Sequence, residues 1–399
     1  MRAYTEPYRH GADVIARLDG VGAHRQDGRI LHFLGSGAMV VGDMSRAARH
    51  LAPAAAAWRS QGRLGLLARS LAASWPQVYL GRLERAREES AEGLGLAEES
   101  GEWIVWLGLK ATAGLVAALR GETEQAARTV RELRSHRLFA GMPFVTVMAQ
   151  QTDGLLALFD GRATEAYDVL ARAFDPVDPH YHSVSRWLLA PDLADAAVAA
   201  GTVREARELL ADLPEPAGRL PSEMMVVAHA YTDAVLAPDD TAEERCAAAL
   251  TALPADWTLS RARLRLHHGR WLRRQRRNVD ARHPLRLARD EFDRVGAQPW
   301  AEMAREQLRA TGESSGRRQA NTGEQLSAQE TQIAVLASQG LSNREIGQRL
   351  FISHRTVGAH LYRIYPRLGI TGRGRLAAAL AALHDEQTTS DVSGGSGPE

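Results

Sequence analysis

A glycine followed five residues later by a small residue recurs along this chain at intervals of 39 or 40 residues. The pairs are Gly42 and Ala47, Gly81 and Ala86, Gly121 and Ala126, Gly161 and Ala166, and Gly201 and Ala206, with a weaker copy at Thr241 and Cys246. Apolar segments of helical length lie before and after each glycine, which suits the turn between two antiparallel helices. Because one such pair cannot bury its apolar face alone, the pattern predicts a stack of helix pairs, with the alanine allowing close approach.

The repeat extends over residues 29–310, which we call the helical-repeat arm. Its period exceeds the usual tetratricopeptide length, so the predicted arm is a tetratricopeptide-like solenoid. Strand signals are nearly absent, since the sequence has no Asn-Gly hairpin turn and few alternating β-branched residues. We therefore predict an all-α arm, preceded by an N-terminal segment at residues 1–28.

Residues 326–376 contain three signals for the start of a helix, separated by short turns. Two are capping boxes, in which a serine oxygen accepts an orphan N–H group and a glutamate three residues later accepts the N–H of the serine. The third is a serine that can cap a helix by itself. The signals are Ser327 with Glu330, Ser342 with Glu345, and Ser353 before Thr356 and Val357.

Apolar residues follow each start at helical spacing, so three short helices can bury their faces against one another. These residues are Ile333, Leu336, Ile346, Leu350, Val357, Leu361, Ile364 and Leu368. Gly340 stands after the first helix, where a left-handed residue is favoured. Pro366 has no backbone N–H group and is expected to stop or bend the third helix. The arrangement predicts a helix-turn-helix.

The third helix has a basic outer side when its apolar residues face the core. Arginine and threonine side chains can hold phosphate oxygens, whereas residues near the front of such a helix can read base edges. We assign the base-reading positions to Gly358, Ala359 and Tyr362. The full set of predicted DNA-contacting residues is Arg355, Thr356, Gly358, Ala359, His360, Tyr362, Arg363 and Arg367, with Ser342, Asn343 and Arg344 in support.

Positive charge is concentrated at this end of the chain. Residues 326–384 hold seven arginines and two glutamates, a net charge of +5, although the whole chain has a formal net charge of +1. Residues 1–325 hold 42 basic and 42 acidic residues, and the remaining tail adds four acids. A local positive field favours attraction to nucleic-acid phosphates. The alternative is a three-helix module that binds protein or forms dimers and has a solvated basic face.

Three motifs in this segment resemble the LuxR-type DNA-binding domain. They are Ser342-Asn-Arg-Glu-Ile346, Thr356-Val357-x-x-His360 and Leu368-Gly369. Gly358 departs from the pattern, because the family often has a basic residue at that position. A glycine inside a helix costs about 1 kcal/mol relative to alanine, and it has no side chain to contact DNA. Which bases are read is therefore left open.

The resemblance implies a four-helix domain at residues 325–385, which we call the reader domain. Its third helix would lie in the major groove, and a fourth helix at about Arg373–His384 would pair with its copy across a two-fold axis. The implied dimerisation residues are Arg375, Leu376, Ala379 and Leu380. Between the arm and the reader domain, residues 311–324 are predicted to form a polar linker. Residues 386–399 are predicted to be a disordered tail.

Residues near the end of the arm resemble the last helical repeat of large ATP-dependent LuxR-type regulators. The similar stretches are Arg261–Arg274, Asp280–Leu285 and Phe292–Glu302. Those proteins have an N-terminal nucleotide-binding domain. This sequence has no Gly-x-x-x-x-Gly-Lys-Ser/Thr loop, and its single lysine, Lys110, lies in an apolar helical segment. We therefore expect no ATPase module and no cofactor, and no other motif indicates an enzyme.

Three further features have weaker functional interpretations. His180 and His182 could bind a metal, but no third ligand is placed and we predict no metal site. The arginines between residues 270 and 277 are best interpreted as a solvated helix face. Four aromatic residues could line a ligand groove inside the solenoid, although aromatic residues at helical spacing are more often core. These are Trp103, Trp106, Tyr181 and Trp187.

Together, the patterns predict a transcriptional regulator that binds double-stranded DNA as a homodimer, at an operator that is a short inverted repeat. The arm would bind a signal protein or a small ligand, and RNA polymerase is a further candidate partner. The sequence has no run of eighteen apolar residues, no signal-peptide core and one cysteine, Cys246, so we expect a cytoplasmic protein without a membrane span. The alternative is a helical-repeat scaffold that binds proteins and has a weak or vestigial reader domain.

Overall fold

The structure is a computed structural model of the chain. It describes residues 27–178, 181, 183, 185–213, 222–313, 328–350, 353–368, 370, 372–377, 379 and 380. All regular elements in these residues are helices, which confirms the all-α prediction. Their contacts divide the chain into two units, one that ends at Gly312 and one that begins at Glu313. Most of the predicted N-terminal segment, most of the linker and the whole predicted tail lie outside the described residues.

The first unit contains the helical-repeat arm. Its helices are α1 (Gly28–Val40), α2 (Met44–Ser60), α3 (Leu64–Ala72), α4 (Pro76–Tyr79), α5 (Leu83–Ser100), α6 (Trp103–Arg120), α7 (Thr123–Ser135), α8 (Pro143–Phe159), α9 (Ala163–Ala171), α10 (Ala190–Ala200), α11 (Val203–Leu209), α12 (Glu223–Val235), α13 (Ala242–Ala252), α14 (Thr258–Arg274), α15 (Asn278–Val295) and α16 (Gln298–Ala310). Short 3-10 turns lie at Phe139–Gly141, Arg172–Phe174 and Ser185–Leu189. Successive helices form packed pairs, such as α1 with α2, α8 with α9 and α14 with α15.

The five recurring glycines stand at turns between two helices, with φ between 72° and 81°. In the turn after α6, the Gly121 N–H donates to the Ala118 carbonyl at 3.0 Å, and the Glu122 N–H donates to the Ala117 carbonyl at 2.8 Å. These bonds satisfy carbonyl groups at the helix end, and the positive φ favours glycine. The five recurring alanines are fully buried. The predicted turns are therefore confirmed, while the tetratricopeptide-like assignment stays a prediction.

Two turns depart from this pattern. Thr241 has φ −114°, so the weaker sequence copy does not form a left-handed turn, although Cys246 is buried. Between α14 and α15, Arg276 adopts the left-handed conformation with φ 60°, and Ala281 five residues later is buried. This turn has the geometry of the repeat without its glycine, which is why the sequence pattern missed it.

Early turns of the arm contact helices that begin far along the chain. The Met224 N–H of α12 donates to the Gly42 carbonyl at 3.0 Å, and the Thr258 hydroxyl of α14 donates to the Leu80 carbonyl at 2.9 Å. A Cβ atom on Gly42 would lie 2.3 Å from the Ser222 hydroxyl oxygen, so this close contact requires glycine. The second half of the arm therefore packs against the first half, which the repeat pattern does not predict.

A buried charged cluster joins helices inside the arm. The Arg263 guanidinium of α14 lies 2.7 Å from Asp195 and 2.8 Å from Asp192, both on α10. The Tyr231 hydroxyl donates to Asp195 at 2.9 Å, and the Gln151 amide donates to Asp192 at 2.6 Å. A cavity of about 30 Å³ borders this cluster. It has room for water and not for a larger ligand.

A wider groove of about 410 Å³ opens in the first half of the arm. Apolar side chains line most of it, including Met39 of α1, Ile104 of α6 and Phe144 of α8. Trp75 also lines the groove and contacts Phe144, with 4.7 Å between ring centroids. Ile104 is 66% exposed. This groove has the size of a small-molecule site.

The four aromatic residues that were considered as a possible lining of a ligand groove belong to two different clusters. Trp103 and Trp106 lie 6.0 Å apart by their ring centroids. Trp187 and Tyr181 instead surround the Arg186 guanidinium, at 4.0 Å and 5.0 Å from their ring centroids. None of the four lines the 410 Å³ groove, and Trp187 is instead buried in the core of the arm. His180 and His182 lie outside the described residues. The residues that the structure does describe contain no group of three or more side chains that could bind a metal ion.

Helix α6 is the one described helix that is long and apolar enough to cross a membrane. Of the 18 residues of α6, 61% are buried inside the arm. Leu115 is one of those in the core. Lys110 on the same helix lies 2.6 Å from Glu132 and 5.3 Å from the centroid of the Trp106 ring. The composition of α6 is therefore that of a core helix, and the single lysine is paired within the arm.

The second unit contains α17 (Ala328–Ser338), α18 (Asn343–Leu350) and α19 (His354–Arg367), followed by a 3-10 turn at Arg373–Arg375. Helices α17 and α18 both pack against α19. The buried core residues are Ile333, Ala334, Ala337, Ile346, Val357, Leu361, Ile364 and Leu376, with Leu336, Leu350 and Leu368 packed against them. The core thus contains every predicted apolar position and adds two alanines and Leu376. Residues 376, 377, 379 and 380 are helical and lie within the predicted fourth helix, whose part after residue 380 lies outside the described residues.

Candidate nucleic-acid interface

The start of α18 has the predicted capping box. The Ser342 N–H donates to Glu345 Oε2 at 2.6 Å, and the Glu345 N–H donates to Ser342 Oγ at 3.3 Å. The hydrogen bonds from the Ser342 hydroxyl and backbone lower the pKa of the Glu345 carboxyl group. Gly340 has φ 93° in the turn before it, as expected for a helix end. Of the first predicted box, Glu330 lies on α17, and Ser327 lies outside the described residues.

Helix α19 begins at His354, two residues before the predicted opening at Thr356. The Val357 N–H donates to the Ser353 carbonyl at 3.0 Å, which joins the helix to its predicted cap residue. At the other end, the helix passes Pro366 and ends one residue later. A proline lacks the N–H group for a helical hydrogen bond, so its position near the end agrees with the predicted stop.

One side of α19 is buried and the other is open. Val357 and Ile364 are fully buried, whereas Tyr362 is 80% exposed. Gly358 and His360 are partly buried. The remaining predicted contact residues lie on the helical backbone, and their side chains are outside the described part. These are Arg355, Thr356, Ala359, Arg363 and Arg367. A short helix held on a compact core by one side is the element that enters the major groove in helix-turn-helix proteins.

Residues 324–380 match the family of bacterial regulatory proteins named luxR. The second unit contains a LuxR-family helix-turn-helix domain. Over 89 residues, the chain is also 36% identical to proteins of Mycobacterium bovis and Mycobacterium tuberculosis that are provisionally named HTH-type transcriptional regulators. The aligned region is 22% of this chain and 10% of each relative. These similarities identify the domain, and they leave the activity of the whole chain to be inferred.

The LuxR-family domain has a contact that the sequence analysis missed. The Arg373 guanidinium donates from Nη1 to Asn343 Oδ1 at 3.1 Å, which joins the turn after α19 to the start of α18. Asn343 also lies beside α19, because a Cβ atom on Gly358 would be 3.5 Å from Asn343 Nδ2. Asn343 was predicted as a supporting residue and Arg373 was not. No local spacing signal connects residues that are 30 positions apart.

The other supporting residues have simpler surroundings. Ser342 is exposed, and its hydroxyl and backbone N–H take part in the capping box. The Arg344 side chain is exposed on α18. It lies next to Asn343 at the start of the helix, where a positive side chain can approach a phosphate.

The predicted dimerisation residues differ in their exposure. Arg375 is exposed, while Ala379 and Leu380 are partly buried. Leu376 is fully buried in the core of the LuxR-family domain itself. Its burial explains how the residues after α19 are held on the domain, and Leu376 has no exposed surface for a second copy to contact. The pairing of two copies stays a prediction for Arg375, Ala379 and Leu380.

Proposed function

We propose that this protein is a sequence-specific DNA-binding transcriptional regulator whose LuxR-family domain binds duplex DNA. The observation that supports this most directly is α19, which is buried on one side and has Tyr362 80% exposed on the other. Residues 326–384 have a net charge of +5. One of their two glutamates, Glu345, is engaged in a helix cap. A positive domain that exposes one side of a short helix is suited to the major groove.

In this function, α19 lies in the major groove with Arg355, Thr356 and Arg363 near phosphates. Ala359 and Tyr362 are then closest to base edges. Two copies pair through residues that follow the Arg373–Arg375 turn, so the operator is a short inverted repeat. Such half-sites lie about one helical turn of DNA apart. The protein acts in the cytoplasm, and RNA polymerase is a candidate partner at the operator.

The helical-repeat arm serves as the signal-binding part of the regulator, for a protein or a small ligand. The 410 Å³ groove is within the size range of small-molecule sites, whereas the 30 Å³ cavity is far below it. If a ligand binds inside the arm, the groove lined by Met39, Trp75 and Phe144 is therefore the place with enough room.

Fluorescence anisotropy with genomic DNA fragments tests DNA binding. Arg355→Ala and Arg363→Ala are each expected to weaken binding and to reduce the salt dependence by about one released ion. Arg59→Ala is a matched control, because this arginine is exposed on the arm and pairs with Glu92. It should leave both quantities unchanged. Absence of salt-dependent binding to any duplex would contradict the proposed function.

The regulatory role of the arm needs a separate measurement. The DNA affinity of the full chain is compared with and without fractionated cell extract, first with small molecules and then with proteins. A change in affinity in either fraction supports signal binding by the arm. An unchanged affinity in every fraction argues for DNA binding without control by the arm.

A second candidate function is a protein-binding scaffold whose LuxR-family domain binds DNA weakly. Gly358 favours it, because a glycine at a predicted base-reading position of α19 has no side chain to contact DNA. The two functions differ in the anisotropy assay. A regulator selects some genomic fragments over others, whereas a vestigial reader binds all duplexes with the same low affinity.

A further inference from the structure

We propose that Asn343 is a positioning residue that sets the orientation of α19 on DNA, and that Arg373 holds Asn343 in place for this purpose. The proposal rests on the DNA-binding function proposed above and extends it to two residues outside the recognition helix. Asn343 is the point where three elements meet: the start of α18, the middle of α19 and the turn after α19.

The hydrogen bond from Arg373 determines which way the Asn343 amide faces. An arginine side chain has donors and no acceptor, so the amide atom that it contacts must be the oxygen. The Arg373 Nη1 to Asn343 Oδ1 distance is 3.1 Å. The Nδ2 amide group is consequently directed to the opposite side, where it lies against α19 at Gly358.

Glycine at position 358 leaves space for this amide. A Cβ atom there would be 3.5 Å from Asn343 Nδ2, an ordinary van der Waals contact, so a longer side chain would have to displace the amide or extend around it. Val357, the preceding residue, is fully buried in the core. Helix α19 is therefore held from inside by Val357 and from the α18 side by Asn343. Tyr362, one helical turn after Gly358, moves with any change at this contact.

The Arg373 guanidinium has few hydrogen-bond partners in its partly buried position. Its side chain is partly buried, and Nη2 is buried without a hydrogen-bond partner among the described residues. A buried polar group without a partner is costly. Loss of the Asn343 oxygen would leave Nη1, a second guanidinium nitrogen, without its hydrogen-bond acceptor. The bond to Asn343 is thus important for keeping Arg373 in this position, and Arg373 in turn keeps the amide oriented.

The experiment measures the full chain by fluorescence anisotropy on a selected genomic duplex and on a scrambled duplex of equal length. Arg373→Met and Asn343→Leu are expected to reduce the ratio of the two affinities by about tenfold, comparable with one mismatched base pair. Their salt dependence should stay that of the unmodified protein, because a positioning residue neutralises no phosphate. Circular dichroism at the assay temperature confirms that each variant is folded.

Three matched variants separate positioning from general destabilisation. Asn343→Asp retains an oxygen for Arg373 and should keep the affinity ratio within about twofold, even though its charge weakens binding to both duplexes. Arg349→Met removes an exposed arginine near the other end of α18 and should also retain the ratio. Gly358→Leu should reduce the ratio in the same way as Asn343→Leu.

The outcomes that overturn the proposal are distinct from failure of the proposed function. If Arg373→Met and Asn343→Leu retain the affinity ratio, the positioning role is wrong. If Arg373→Met instead reduces the salt dependence by about one ion, Arg373 contacts a phosphate directly, and its positioning role is again wrong. If the unmodified protein binds no duplex, the DNA-binding function itself is wrong.

Discussion

Arginine has different surroundings in the arm and in the LuxR-family domain. In the arm, arginines pair with acids on neighbouring helices or next to a helix end, as in Arg59 with Glu92, Arg69 with Glu102 and Arg277 with Glu243. Residues 1–325 contain equal numbers of basic and acidic residues. In residues 326–384, seven arginines face two glutamates. The comparison indicates that the supply of nearby acids decides whether arginine stabilises a helix stack or generates a field for phosphates.

The interiors differ as well. The arm buries Arg263 between Asp192 and Asp195, where α10 and α14 meet. The described core of the LuxR-family domain consists of apolar side chains, from Ile333 to Leu376. Removal of one partner leaves the other buried charge uncompensated, whereas an apolar core tolerates substitutions that conserve volume. We therefore expect the arm to be the unit that is more sensitive to a single buried substitution.

The largest expected effect is the loss of the buried guanidinium. Arg263→Met leaves two carboxylates without their partner and should lower the free energy of unfolding of the arm by roughly 3–5 kcal/mol. Arg59→Met is the control, because its ion pair with Glu92 is exposed and should contribute at most about 1 kcal/mol. Denaturant unfolding of the full chain measures both. Equal losses for the two variants would contradict the comparison between buried and exposed arginine.

The next largest effect is an acid sensitivity of the arm. Burial lowers the pKa of His267 to about 4, with further lowering by Arg274 and Arg270 and an opposing effect of Asp195. Because the folded-state pKa is below the unfolded one, the neutral side chain stabilises the fold above about pH 6.5, and this stability is lost as pH falls towards 4. The loss should be roughly 3 kcal/mol.

The variant His267→Gln isolates this effect, since glutamine does not titrate. Unfolding free energies of the two proteins are measured by denaturant titration between pH 7 and pH 4. Carboxyl groups titrate in both proteins, so the difference between them reports His267. A difference that stays constant with pH would show that His267 does not cause the acid sensitivity.

A smaller effect is expected in the LuxR-family domain. Ser342→Ala removes the oxygen that accepts the Glu345 N–H and should lower the stability of the domain by about 1 kcal/mol. Ser338→Ala is the matched control, because the Ser338 hydroxyl donates to the Val335 carbonyl at the other end of a helix and caps no N–H group. Thermal unfolding followed by circular dichroism compares the two. Similar midpoints would argue against a capping role for Ser342.

The smallest effect concerns the turns of the arm. Arg276 adopts φ 60° where the other turns use glycine, so Arg276→Gly should stabilise the arm by up to about 1 kcal/mol. Gly161→Ala tests the reverse change at φ 77°, at a site with no atom near the added Cβ. It should destabilise by a similar amount because of backbone strain alone. Two changes of the same sign would show that φ is not the deciding factor.

Much of the fold follows from local sequence patterns. The turns at Gly42, Gly81, Gly121, Gly161 and Gly201 and the capping box at Ser342 were predictable, because each depends on residues within a few positions of one another. The apolar core of the LuxR-family domain was predictable from helical spacing, with Val357 and Ile364 buried as expected. The exposure of Tyr362 opposite these buried residues follows for the same reason, since residues on one face of a helix recur with its period.

Sequence alone thus determined the helices, their turns, the inward face of α19 and the surplus of positive charge at one end. Tertiary structure decided the rest: that Met224 contacts Gly42, that Arg263 lies between two aspartates, and that Arg373 orients Asn343 beside Gly358. The physical reason is separation along the chain. A hydrogen bond between residues 30 or 178 positions apart produces no periodic pattern in a single sequence. It depends on how the helices pack against one another after they have formed.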